Sequence, residues 1–119
     1  LIEIYKHGCD LLSLAVDVQT QMPRAYRRSL GDRIHDLCVA MLEDMAMANA
    51  SREAQRIAHI DQLLQRLRAA TAMLRVSHDK RLISPKIWAQ SVEVLDTIGA
   101  QAGGWKRHTA KTLSPAPAA

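Results

Sequence analysis

Residues 30–45, LGDRIHDLCVAMLEDM, decide the fold class, because their apolar positions recur at the period of an α-helix. The apolar positions of this stretch are Leu30, Ile34, Leu37, Cys38, Met41, Leu42 and Met45. On a helix they form one wide stripe, whereas a half-buried strand would alternate apolar and polar side chains. Several neighbours are needed to cover a stripe of this width, so the stretch predicts one helix of a helical bundle.

Three further stretches show the same period. The predicted helices cover residues 4–22, 26–49, 52–78 and 84–108. Pro23 stops the first helix, and Ser84 followed by Pro85 is a typical helix start. The connections between the helices are short, which favours antiparallel neighbours.

The predicted fold is therefore all-α, an antiparallel up-down-up-down four-helix bundle over residues 1–111. Residues 112–119 are predicted to be a disordered Pro/Ala tail. The chain has 119 residues, which suits one compact domain. Its residues are 48% hydrophobic but only 3% aromatic, without Phe, so the core must be built from aliphatic side chains and Met. That composition suits helix packing and argues against a β-sandwich.

The sequence contains none of the common motifs of catalysis or cofactor binding. A di-iron bundle requires Glu-x-x-His on two helices, and only Asp32-x-x-His35 comes near that pattern. We therefore expect no metal, no cofactor and no enzymatic activity. No apolar run approaches the ~18 residues of a membrane span. We expect no membrane partner and a cytoplasmic location, with Cys9 and Cys38 as small core residues in a reducing compartment.

The positive charges are grouped at two of the predicted connections. In an up-down-up-down bundle the first and third connections lie at the same end, and six cations fall there with only Asp79 close by in sequence. Arg33 and Arg75 lie about one helical turn further along and extend the group down the bundle. The full candidate nucleic-acid-binding set is Arg24, Arg27, Arg28, Arg33, Arg75, Lys80, Arg81 and Lys86.

A bundle does not need such a cluster in order to fold. Cations at the start of a helix are unfavourable by roughly 0.3–1 kcal/mol each, because that end of the helix dipole is positive. With a net charge of +4, the chain is therefore predicted to bind a polyanion. The alternative is a solvated end that serves solubility. A second surface, for self-association, is suggested by apolar residues away from the predicted core: Leu12, Val16, Val39, Val76 and Val94.

Three stretches resemble the accessory variability determinant (Avd) proteins of diversity-generating retroelements. They are residues 22–34 (MPRAYRRSLGDRI), Leu74-Arg75 followed by residues 82–86 (LISPK), and Ile98-Gly99 followed by residues 103–106 (GGWK). The resemblance covers residues 4–108 and implies a four-helix bundle that forms a homopentamer with a basic surface. It also implies a non-enzymatic partner that binds the retroelement's reverse transcriptase and RNA or cDNA, and so supports mutagenic reverse transcription.

The resemblance also assigns roles by position. The basic or polar places of the family pattern are matched by Arg27, Arg33, Arg75, Lys86 and Lys106. Its packing positions are matched by Gly31, Gly99, Gly104 and Trp105. Two alternatives stay open at this point. One is a protein of the related kind encoded in intervening sequences of 23S ribosomal RNA genes, and the other is an oligomeric helical adaptor with no nucleic-acid role.

Overall fold

The computed structural model describes residues 2–113, and side chains for residues 3–112. The helices are α1 (Ile2–Gln21), α2 (Arg24–Tyr26), a π-helical segment (Arg27–Gly31), α3 (Asp32–Ala50), α4 (Glu53–Asp79) and α5 (Pro85–Leu113). Because α2, the π-helical segment and α3 follow one another without a break, the chain forms four long helical units. The described part of the chain contains no strand. The predicted all-α four-helix bundle is confirmed.

Side-chain contacts show how neighbouring helices run. The backbone N–H of Ser84 donates to Oε1 of Gln21 at 3.0 Å, and so joins the start of α5 to the end of α1. At the other end His7 Nδ1 lies 3.1 Å from Gln101 Oε1, so α1 and α5 are antiparallel. The helix pairs α1–α3, α3–α4 and α4–α5 also pack side by side, which closes the ring of four helices.

The core runs along the centre of the bundle and takes residues from all four helical units. Its fully buried large side chains are Leu11, Val18, Met22, Ile34, Cys38, Met41, Met45, Ile60, Leu63, Leu74, Leu95 and Ile98. Aliphatic and Met side chains therefore fill the interior, as the shortage of aromatic residues predicts. Trp88 and Trp105 are half-buried and pack against the edge of this core.

Three details differ from the sequence-based expectations. The last helix continues to Leu113, so Thr112 and Leu113 are helical although a tail was expected from residue 112. The rest of the predicted tail, residues 114–119, lies outside the described residues. Cys38 is buried as expected, but Cys9 is exposed because it lies off the apolar stripe of α1. Of the apolar residues expected on the surface, Val16 and Val76 are exposed, whereas Leu12, Val39 and Val94 are half-buried.

Candidate nucleic-acid interface

The first and third connections lie at the same end of the bundle. The hydrogen bond between Ser84 and Gln21 brings them together, because one residue begins α5 and the other ends α1. The chain positions of the cations therefore place six of them at this end, and we call it the basic end. Its members are Arg24, Arg27, Arg28, Lys80, Arg81 and Lys86.

The first connection is a tight helical corner instead of a loop. Pro23 interrupts the helix, and its carbonyl accepts the backbone N–H of Tyr26 at 2.9 Å. The chain then continues through the π-helical segment, whose wider turns are common at functional sites. Gly31 ends that segment close against α1, where an added Cβ would lie 2.9 Å from Cγ of Gln19. This packing confirms that position 31 has no room for a side chain unless Gln19 moves.

Arg27 is folded back onto α1. Its Nε donates to the carbonyl of Met22 at 3.0 Å, and its Nη2 donates to the carbonyl of Thr20 at 3.3 Å. These carbonyls lie at the end of α1. The last backbone carbonyls of a helix have no N–H donor from a following turn, and the helix dipole is negative there. Gln19 supports the corner from the other side, because its amide donates to the Arg27 carbonyl and to the Asp32 carboxylate. The guanidinium of Arg27 therefore helps to hold the corner in place, and part of its charge is directed at the carbonyls of α1.

Arg24 and Arg28 are placed differently. Both side chains are exposed, and no carboxylate of the described residues lies within 4.0 Å of either guanidinium. The corner thus carries two cations whose charge is not neutralised by a neighbouring ion pair.

The third connection, between α4 and α5, is also held against the bundle. The backbone N–H of Leu82 donates to the carbonyl of Ser77 at 2.8 Å, and the side chains of Leu82 and Ile83 are buried in the core. Lys80 and Arg81 precede this anchor and are exposed. Arg81 adopts a φ of 59°, a left-handed conformation that usually favours glycine at the end of a helix.

Lys86, at the start of α5, is the third cation near this connection, after Lys80 and Arg81. The hydroxyl of Ser84 accepts the backbone N–H of Ile87 at 3.2 Å, which confirms Ser84 as the N-cap. Lys86 lies in the first turn of α5 and is exposed beside a polar cleft. That cleft is also lined by Asp17, Thr20, Gln21 and Gln90.

The two flanking arginines lie on different helices. Arg75 Nε is 4.0 Å from the carboxylate of Asp79, but both side chains are largely exposed, so the pair contributes little. Arg33 lies in a groove between α3 and α4 that is also lined by Gln65 and Arg66. The structure thus brings six of the eight candidate residues to one end and leaves Arg33 and Arg75 on the flanks.

At the opposite end of the bundle two basic residues, Arg56 and Lys106, contact other helices, whereas Lys6, Arg107 and Lys111 are exposed. Lys106 Nζ lies 2.6 Å from the carboxylate of Asp61 and so joins α5 to α4. Arg56 lies over the ring of Trp105 at 5.7 Å, and its Nε donates to the last-turn carbonyl of Ala48 at 2.9 Å. Lys106 therefore contributes a contact between α5 and α4.

The described residues contain neither a cluster of metal ligands nor a helix able to span a membrane. No group of three or more His, Cys, Asp and Glu side chains among the described residues is arranged to hold a metal ion. Within residues 2–113 no helix combines the length and the apolar character that crossing a membrane requires.

Comparison with known proteins gives one family match. The model of one family, described as bAvd-like, matches residues 4–109 and so covers nearly all of the helical bundle. No curated protein and no solved structure matches the chain. The expected relation to the proteins of 23S ribosomal RNA intervening sequences stays a prediction. Because the match extends from the first turn of α1 to the last turns of α5, the chain belongs to the bAvd-like family.

Proposed function

We propose that this chain is a non-enzymatic accessory protein of a diversity-generating retroelement. In this role it binds the element's reverse transcriptase and RNA or cDNA, and the chemistry of mutagenic reverse transcription belongs to the reverse transcriptase. Family membership supports the retroelement part of the proposal. The observation that carries the nucleic-acid part is the meeting of two connections at the basic end, with six exposed cations there, of which Arg27 is hydrogen-bonded to the end of α1.

The basic end is suited to phosphate backbones more than to base edges. Arg24, Arg28, Lys80, Arg81 and Lys86 are long, exposed donors on anchored backbone. Such side chains contact phosphates and position a nucleic acid without reading its sequence. Each phosphate that they neutralise releases condensed counterions, so binding weakens as salt rises. We therefore expect salt-sensitive binding with weak sequence preference.

Self-association is the second part of the proposal. A homo-oligomer, a pentamer by family resemblance, would use exposed apolar residues on the sides of the bundle. Val16 on α1 and Val76 on α4 are 49% and 44% exposed, and they lie on helices that do not pack against each other. The protein would act in the cytoplasm.

A titration at low and moderate salt tests the nucleic-acid part. The fluorescence anisotropy of a labelled structured RNA is followed as the protein is added. A triple variant, Arg24→Glu, Arg28→Glu and Lys86→Glu, reverses three cations of the basic end without touching Arg27. The matched control reverses three exposed cations elsewhere, Lys6→Glu, Arg107→Glu and Lys111→Glu, and has the same net charge.

We expect the triple variant at the basic end to lose binding while the control keeps most of it. The slope of log affinity against log salt should also become shallower by roughly 0.7–0.9 for each phosphate that the variant no longer neutralises. Equal losses of affinity in the two variants would mean that net charge, and not the basic end, attracts the RNA. No binding by the wild-type protein would favour the adaptor alternative, with the reverse transcriptase surface as the remaining partner to test.

The retroelement part has its own test. The gene should lie beside a reverse transcriptase gene and a pair of template and variable repeats. A gene placed within a 23S ribosomal RNA gene would instead support the intervening-sequence alternative.

A further inference from the structure

Two grooves run along opposite sides of the bundle. The helices form a ring in the order α1, α3, α4, α5, because each packs against the next and α5 packs against α1. The groove between α3 and α4 therefore lies opposite the groove between α1 and α5. We call these surfaces the α3/α4 side and the α1/α5 side.

The α3/α4 side carries a cation and an exposed apolar side chain in one line. Arg33 and Ala40 line its groove, and Met47 follows at the same spacing of seven residues, close to two helical turns. Arg33 is exposed, and no carboxylate of the described residues lies within 4.0 Å of its guanidinium. Met47 is 51% exposed, the highest value for a large apolar side chain in the described part of the chain.

The other charged residues of this groove have partners within the chain. Arg66 pairs with the buried Asp44 at 2.9 Å, and the carboxylate of Asp36 lies 3.5 Å from Nδ1 of His35. Arg33 is therefore the charge of this groove that is left for a partner.

The α1/α5 side is acidic along most of its length, although the chain has a net charge of +4. Asp10 and Glu93 line its groove, and Asp17 lines the adjoining cleft, whose cation Lys86 lies at the basic end. All three carboxylates are exposed, and no Lys, Arg or His nitrogen of the described residues lies within 4.0 Å of them. Two half-buried apolar side chains also line the groove, Leu14 and Val94.

A pocket of about 240 Å³ lies on the α1/α5 side near the end away from the basic residues. Its lining includes Glu3, Gln101, Gly104 and Trp105. A glycine inside a helix costs roughly 1 kcal/mol relative to alanine. Yet a Cβ added at Gly104 would meet nothing nearer than Nη2 of Arg107, at 3.8 Å. Packing within the chain therefore does not require this glycine, and its missing side chain leaves the pocket open.

Close contacts fix the register of α1 against α3. A Cβ added at Gly31 would lie 2.9 Å from Cγ of Gln19, and one added at Gly8 would lie 2.7 Å from Cδ2 of Leu42. These contacts show that the two helices run in opposite directions and which of their residues lie side by side.

The features of the two sides consequently lie at matching heights along the bundle. Because both helices rise equally per residue, Arg33 is level with Asp17, near the basic end. Met47 is level with Glu3, which lines the pocket over Gly104. A second copy in parallel orientation would thus bring cation to carboxylate and apolar side chain to pocket.

We propose that the α3/α4 side of one copy packs against the α1/α5 side of the next, in parallel orientation. Arg33 faces the acidic row of Asp10, Asp17 and Glu93, and Met47 enters the pocket over Gly104. This inference rests on the self-association part of the proposed function and names the two surfaces that meet. A contact between two different surfaces closes into a ring or extends into a filament. In both assemblies every basic end points the same way, which gathers their charge on one face.

The test breaks one side at a time and measures the mass in solution by analytical ultracentrifugation. Variant A, Arg33→Glu with Met47→Glu, changes the α3/α4 side. Variant B, Asp17→Asn with Gly104→Glu, removes a carboxylate from the α1/α5 side and fills its pocket.

The matched control is Tyr5→Glu with Arg68→Glu. It makes the same change of charge as variant A at two exposed positions that line neither groove nor the pocket. Circular dichroism checks that each variant keeps its helices. A variant with lowered helicity is replaced by its single substitution, Met47→Glu or Gly104→Glu, with the same expected result.

We expect the wild type and the control to form the same oligomer, and variants A and B each to be monomeric. An equimolar mixture of A and B should form a heterodimer and nothing larger. The intact α1/α5 side of A can bind the intact α3/α4 side of B, whereas the two changed sides place like charges opposite each other.

Four results would overturn the inference. A monomeric wild type would remove the proposed self-association, and this inference with it. If the wild type is oligomeric and folded A and B keep its mass, self-association stands but uses other surfaces. If A and B are folded monomers that do not combine, the two sides do not bind each other. If only one variant dissociates, the contact joins two copies of the same side.

Discussion

Nη1 of Arg66 lies 2.9 Å from the carboxylate of Asp44, and this ion pair joins α3 to α4. Asp44 is 3% exposed, and its second carboxylate oxygen has no hydrogen-bond partner among the described residues. Arg66 is half-buried and also donates to the carbonyl of Ala40 at 3.3 Å. Since a buried carboxylate is costly without a counter-charge, Asp44 depends on Arg66.

Removal of Arg66 should therefore destabilise the bundle. We expect Arg66→Met to lower the free energy of unfolding by roughly 2–4 kcal/mol, because it leaves a buried carboxylate unpaired. Water that reaches Asp44 from the partly exposed side of Arg66 should limit the loss. Arg68→Met, an exposed position on the same helix, should change it by less than about 0.5 kcal/mol. Urea unfolding measures both.

The double variant Asp44→Leu with Arg66→Met separates loss of charge pairing from loss of packing. It should recover most of the stability that Arg66→Met loses, because no buried charge remains. Equal stability of Arg66→Met and Arg68→Met would show that the ion pair contributes nothing.

The pH dependence of stability should carry a signature of Asp44. Burial raises the pKa of this carboxyl above its ordinary value of 3.8, an effect that the charge and hydrogen bond of Arg66 and the charge of His59 oppose only in part. The folded state then holds the Asp44 proton more tightly than the unfolded chain does. The contribution of Asp44 to the free energy of unfolding therefore falls as the pH rises from 3.8 through the raised folded-state pKa.

The variant Asp44→Asn isolates this effect, because it keeps the shape and has no proton to lose. Urea midpoints of the two proteins are compared from about pH 3 to about pH 7. Relative to Asp44→Asn, the wild-type protein should be most stable at the acid end of this range, and its relative stability should fall as the pH rises. A difference that is constant with pH, or that grows in favour of the wild type, would contradict the raised pKa.

Arg27 should behave as a structural residue and Arg28 as a surface residue. Arg27→Ala removes two charge-assisted hydrogen bonds to the end of α1, so we expect a loss of roughly 1.5–3 kcal/mol in the free energy of unfolding. Arg28→Ala should cost less than about 0.5 kcal/mol. Chemical denaturation of the two single variants makes the comparison, and similar losses in both would mean that the hydrogen bonds to α1 add no stability.

The two cysteines should differ sharply in reactivity. Burial raises the pKa of the Cys38 thiol to about 12, so the thiolate that would react is scarce as well as enclosed. Cys9 is exposed on α1. A thiol-specific chromogenic reagent should therefore modify one cysteine in the native protein and the second only after denaturation. Cys9→Ser should abolish the native reaction, and a fast native reaction in that variant would show that the core opens at Cys38.

The bundle itself could be predicted because its helices have wide apolar stripes and short connections. The same reasoning placed two connections at one end, which the hydrogen bond between Gln21 and Ser84 now shows. The cap at Ser84 was also predictable, since a serine before a proline is a local signal that needs no tertiary context.

The buried ion pair was missed although a signal was present. Asp44 lies between Met41 and Ala48, and Arg66 lies between Leu63 and Ala70, so both occupy places on the core-facing stripes of their helices. A small rotation of a helix is usually enough to bring a charged residue at the border of its apolar stripe into solvent. Only the packing of α3 against α4 shows that Asp44 and Arg66 meet. The role of Arg27 had no comparable signal, because it depends on the direction in which the chain re-enters a helix after Pro23.

Continuous helical structure from Arg24 to Ala50 has a consequence for the thermodynamics of recognition. A basic loop would have to be ordered on a polyanion, with a loss of backbone entropy that opposes association. Here the backbone of the Arg-bearing corner is already ordered in the free protein. Association at this end should resemble rigid docking, with a small change in heat capacity and a rate set mainly by electrostatic encounter.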